Sequence, residues 1–69
     1  MTSISGKEFA RMIEAKGWVS LRISGSHHIY GKVGVAARIS LPIHGNTPFE
    51  MGLLRHLARL AEIPENEWR

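Results

Sequence analysis

The chain has 69 residues and a mass of 7.7 kDa, enough for one domain and no second, since an independent core usually needs on the order of 100 residues. It contains no Cys, which excludes disulfide frameworks, zinc ribbons and thiolate nucleophiles. Nine Lys and Arg against six Asp and Glu give a net charge of +3 and a pI near 10.0, and 43% of residues are hydrophobic, so the composition describes a small folded module that favours anionic partners.

Ser5 followed by Glu8 has the spacing of a capping box, and Ile4 and Phe9 stand where a hydrophobic staple would flank the same helix start. Phe9, Met12 and Ile13 give that first helix its apolar face, and Gly17 ends it. From Trp18 to Ile23, Val19, Leu21 and Ile23 alternate with Trp18, Ser20 and Arg22, the period of a half-buried strand. Ser24-Gly25-Ser26 reads as a turn, His27 to Tyr30 as the returning strand and Gly31 to Gly34 as a second turn. Ala37, Ile39 and Leu41 then alternate with Arg38 and Ser40 in a third antiparallel strand ending at Pro42. Thr47, Pro48 and Glu50 supply a cap hydroxyl, an N1 proline and an N3 acid for a second helix. Its buried stripe comprises Met51, Leu53, Leu54, Leu57, Ala58, Leu60 and Ala61, with Pro64 stopping it and Trp68 pinning a further turn.

The expected fold is α+β: an α-β-β-β-α two-layer sandwich spanning residues 1–69 as one domain, with both helices on one face of a three-stranded antiparallel sheet. The other sheet face, carrying Arg22 and Arg38, is left in water. No apolar run reaches the roughly 18 residues of a membrane span and the N-terminus lacks the pattern of a secretory leader, so a cytoplasmic protein is expected.

Charge is unevenly distributed along the chain. Residues 1–61 hold eight basic and three acidic side chains, whereas residues 62–69 hold three Glu and one Arg, so the acidic tail masks a more basic body. From Ala15 to Phe49 there is no carboxylate, only Lys16, Arg22, Lys32, Arg38 and three His; a segment of that kind suits phosphate. The chemically versatile groups gather at Gly25-Ser26-His27-His28, with His44 beyond the third strand. Histidine populates both protonation states near neutral pH and is the natural proton-transfer group.

Strand alternation sends His27 and His28 to opposite faces, so one of them meets a substrate. Adjacent His on opposite faces cannot share a metal ion, and the chain has neither an HExxH spacing nor any Asp, so no metal site is expected. A Ser26-based triad would need a carboxylate from outside residues 15–49. The glycines are turn residues rather than a P-loop or dinucleotide fingerprint. Arg55 and Arg59, four apart, are either the solvated face of the second helix or an extension of the basic surface.

In order and spacing, SGKEFARMIEAKGW, RISGSHHIY, RISLPIHGN and TPFEMGLLRHLARLAEI together resemble the HicA family of small toxins, also described as YcfA-like, from HicA–HicB toxin–antitoxin systems. The resemblance covers residues 5–63, and its most specific element is GSHH in the hairpin, supported by Pro42 and His44. It implies a double-stranded-RNA-binding-domain-like fold, an mRNA-cleaving endoribonuclease activity that needs no cofactor, and neutralisation by a HicB-type antitoxin. The family's catalytic histidine, the one after Gly-Ser, corresponds to His27, with His28 as the alternative. Alternation pairs His27 with Ile29, which reads as a core residue, so this assignment calls for a turn or bulge at Ser26 to reset the phase. Gly25 and Ser26 would let backbone approach phosphate, and Arg22, Lys32 and Arg38 would hold neighbouring phosphates. The competing expectation is a non-catalytic RNA-binding module of the same fold, which has no use for the hairpin histidine.

Overall fold

Ser5 starts the first helix as the sequence requires. In the computed structural model, which describes residues 4–69, the Ser5 hydroxyl accepts from the Glu8 N–H at 3.3 Å and the Glu8 carboxylate accepts from the Ser5 N–H at 3.1 Å. Helix α1 runs Gly6–Ala15 and is followed by β1 (Val19–Ser24), β2 (His27–Lys32), β3 (Val35–Pro42), α2 (Met51–Leu60) and a 3-10 turn at Glu65–Glu67. The strands form one antiparallel sheet in the order β1-β2-β3. The chain therefore has the expected α-β-β-β-α order. Among the described residues, no helix is long and apolar enough to cross a membrane.

The core lies between the helices and one sheet face: Phe9, Ile13, Leu54 and Leu57 are buried against Tyr30, Ile39 and Leu41. Tail residues Ile63 and Trp68 close the same cluster, and Lys16 reaches from the end of α1 to Glu67 at 2.9 Å. Paired residues in an antiparallel sheet share a face, so the register divides the sheet into two sides. Ser20–Tyr30–Ile39 and Ile23–His28–Leu41 form rows on the covered side, and Arg22–Ile29–Ser40 and Ser24–His27–Pro42 form rows on the open side.

Four expectations need correction. First, β1 is not half-buried: all six of its residues are exposed, and Trp18, assigned to the outward set, is buried instead. The helices meet the sheet chiefly through β3, so β1, on the far side of β2, overhangs the core. An irregularity between Ser20 and Arg22 also breaks its alternation. Second, β2 continues to Lys32, and the turn is the pair Val33–Gly34 rather than four residues. Third, α2 begins at Met51 with Glu50 at its N-cap and no side-chain cap bond. The residues expected to open it are extended, because Pro48 pairs with Ser5 and the Phe49 N–H donates to the Ile4 carbonyl at 2.9 Å. Phe49 then stacks edge-on against Phe9, with ring centroids 6.1 Å apart. Fourth, the stripe of α2 is narrower than its apolar residues suggest, for Leu53 and Leu60 remain exposed.

Helix α1 is locked to the end of β3 by a close approach at Gly6, where a Cβ would lie 2.7 Å from the Pro42 carbonyl oxygen and 2.9 Å from Ile43 Cγ1. Backbone cannot move aside as a flexible side chain can. Gly6→Ala is therefore expected to destabilise the protein by about 1–3 kcal/mol, and thermal unfolding should show Tm falling by roughly 4–8 °C for each of those kcal/mol. An unchanged Tm would show that the contact is slack.

Candidate active site

Hairpin β1–β2 turns through Gly25 and Ser26, with Ser24 paired to His27 and Gly25 at φ +60°, a backbone conformation that suits Gly at the first central position of a two-residue turn. The Ile43 N–H donates to the Ser26 carbonyl at 2.8 Å, so the segment after β3 is strapped to this turn. His27 is exposed and lies on the open face in the row Ser24–His27–Pro42. His28 is half-buried in the row of Leu41. Ser26 lies in the hairpin turn, and the phase needs no reset there. Register runs regularly through His27, His28 and Ile29, and Ile29 is a half-buried residue of the open face while Tyr30 carries the core.

Arg22 pairs with Ile29, two residues along from His27. That makes Arg22 a diagonal neighbour of His27, at about 7–8 Å between backbones, within reach of a long side chain. Arg38 and Lys32 are more distant. The Arg38 side chain crosses Gly31, four residues along β2, roughly 13 Å from His27, and its guanidinium donates to the Val35 and Ala36 carbonyls at 3.4 and 3.5 Å. Lys32, at the end of β2, lies beside Gly17 and lines a shallow hollow of about 240 Å³ with Val19, Leu21, Val33 and Arg38. The sequence-derived set is thus split: Gly25, Ser26, His27 and Arg22 gather at one end of the open face, Arg38 occupies the other, and Lys32, two residues on from the core-facing Tyr30, turns towards Gly17 at the rim. Arg55 and Arg59 belong to the helix layer and line a hollow with Glu65 and Trp68, so they do not extend the basic sheet.

Among the described residues, no three His, Asp or Glu side chains come together as they would to hold a metal ion. Sequence reasoning missed the tie beneath the site: the Tyr30 hydroxyl donates to the Glu14 carboxylate at 2.9 Å, joining α1 to the strand that carries both histidines. Glu14 and Tyr30 are sixteen residues apart, and no local pattern links them. Burial, reinforced by the Glu14 hydrogen bond and charge, pushes the Tyr30 phenol up to about 12 from its ordinary 10.0.

A comparison with protein families matches residues 6–63 to the HicA toxin of bacterial toxin–antitoxin systems. With the match covering most of its length, the chain belongs to the HicA toxin family. No curated protein matches it.

Tyr30 is the sole tyrosine, so its titration is directly visible as phenolate absorbance. Because folding raises its pKa, the protonated form is the one the fold favours; its stabilising contribution is full below pH 10 and lost as pH rises towards about 12. An absorbance titration is expected to give a midpoint near 12, or one set by alkaline unfolding below that. Glu14→Gln should lower the midpoint, since it removes the charge that opposes the phenolate. A midpoint at the ordinary value in the parent would contradict the Glu14–Tyr30 tie.

Proposed function

We propose that the protein is an mRNA interferase, the toxin of a type II toxin–antitoxin pair, which cleaves mRNA in the cytoplasm by acid–base chemistry at His27. One observation carries the reading: of the two adjacent histidines, His27 stands exposed on an open sheet face whose strands contain no carboxylate. His28 is half-buried and shares the helix-covered side with Leu41. Membership of a toxin family supports the same conclusion.

In this mechanism RNA lies along the open face. His27 accepts the proton of a ribose 2′-hydroxyl, and the freed oxygen attacks the adjacent phosphorus. Arg22, diagonal to His27, stabilises charge on the non-bridging phosphate oxygens as the phosphorane forms. Gly25 and Ser26 let backbone approach the reacting phosphate, while Arg38, at the far end of the face, and Lys32, at its rim, hold phosphates further along the strand. No cofactor enters. The partner is a HicB-type antitoxin, and the open face suits a protein as well as RNA: Val19 and Leu21 are 57% and 53% exposed beside Arg22 and Arg38, which calls for a partner with an apolar centre and acidic rim.

The test compares wild-type, His27→Ala and His28→Ala proteins on RNA in the presence of chelator. Cleavage by His27→Ala is expected to fall by about 10²–10⁴-fold, with His28→Ala retaining most activity provided it stays folded. Loss confined to His28→Ala would reverse the assignment. Salt-dependent RNA binding with no cleavage by the wild-type protein would instead establish a binding module.

A further inference from the structure

His44 lies outside the mechanism above, yet the backbone carries it to the same end of the same face. His27 pairs with Pro42, and the Ile43 N–H···O=C Ser26 bond of 2.8 Å extends this pairing one residue beyond the strand. Continued by one further residue, the register sets His44 across from Gly25, whose missing side chain leaves that position open: a Cβ there would have nothing within 4 Å. The phase is independently fixed. Ile43 directs its side chain at Gly6 of α1, on the covered side, so the next residue faces the open side, and His44 is exposed. Its backbone is held in turn by the Thr47 N–H, which donates to the His44 carbonyl at 3.1 Å. His44 is therefore a diagonal neighbour of His27 across Pro42, as Arg22 is across Ser24, with backbones about 7–8 Å apart. That backbone separation is within reach of aromatic and long side chains, so both imidazoles can address one phosphodiester.

We infer that His44 is a second catalytic residue, the general acid that protonates the leaving group. The inference rests on the ribonuclease reading of the same face and deepens it. As His27 takes the 2′-hydroxyl proton, the 2′ oxygen bonds to phosphorus and the bond from phosphorus to the 5′ oxygen breaks. The electron pair leaves on that 5′ oxygen, which takes a proton from the His44 imidazolium. The products are a 2′,3′-cyclic phosphate and a 5′-hydroxyl, and exchange with water resets both histidines.

A leaving group that needs no proton separates this role from a structural one. The experiment uses a short RNA that the wild-type protein cuts at one mapped linkage, made with either oxygen or sulfur as the bridging 5′ atom. Thiolate departs without an acid. His44→Ala is expected to cut the oxygen substrate at least 100-fold more slowly than wild type, in line with the lower end of acid–base contributions, and the sulfur substrate within about 10-fold of it. His27→Ala, lacking the base, should be slow on both. His44→Ala should keep the parent's circular dichroism spectrum and RNA affinity. Full activity of His44→Ala on the oxygen substrate would overturn the proposal, as would equal loss on both substrates. If no RNA is found that wild type cuts, the ribonuclease reading falls and this inference with it, whereas a wild type that cuts and a His44→Ala that cuts equally well overturn the acid alone.

Discussion

The phase of β2 decides what this protein presents to its surroundings. Tyr30 must face the helices, because it fills the core beside Ile39 and donates its hydroxyl to Glu14. With side chains alternating along a strand, that single commitment sends His28 to the covered side and His27 to the open one. A slip by one residue would exchange the two histidines between the faces and turn the tyrosine into water. The arrangement of the candidate site is thus a by-product of hydrophobic burial on the opposite face of the same strand. No polar contact to His27 is needed to aim it.

The two faces also divide the labour of a very small chain. Every large buried side chain lies in the layer between helices and sheet, leaving the opposite side free of packing duties. That side can therefore carry arginines, a histidine and exposed aliphatics together at little cost to stability, since substitutions on such surfaces usually change folding free energy by less than about 0.5 kcal/mol. Among the described residues, one sheet is scaffold on its covered face and carries the candidate site on the other.

Features specified by neighbours in the chain were legible in the sequence. The Ser5–Glu8 capping box, the Gly17 terminus of α1, the three strands and the buried Trp68 all follow from local spacing. Features set by distant partners were not. Alternating apolar residues in β1 promise burial, but only the position of the helices over β3 decides that Val19, Leu21 and Ile23 stay exposed. Thr47 and Pro48 have the residue types of a helix start, and pairing with Ile4 and Ser5 overrides them. Ile29 is apolar enough to be taken for core, and only the identity of its cross-strand partners, Arg22 and Ser40, marks it as a residue of the open face. The segment holding His44 illustrates the same limit, because it is tied to the hairpin turn by a bond from Ile43 to Ser26, residues distant in the chain.

The pairing of Ser5 with Pro48 has a kinetic consequence. It joins positions more than forty residues apart, and a contact of that span forms late, after the chain between has been brought together. Helix α2 has no side-chain cap of its own and is ten residues long, too short to persist alone in water. Its first turn is therefore organised only once α1 is in place and the hairpins have closed the distance. The two ends of the domain are committed to folding together, and a half-formed chain holding α2 without α1 has no stable helix to expose.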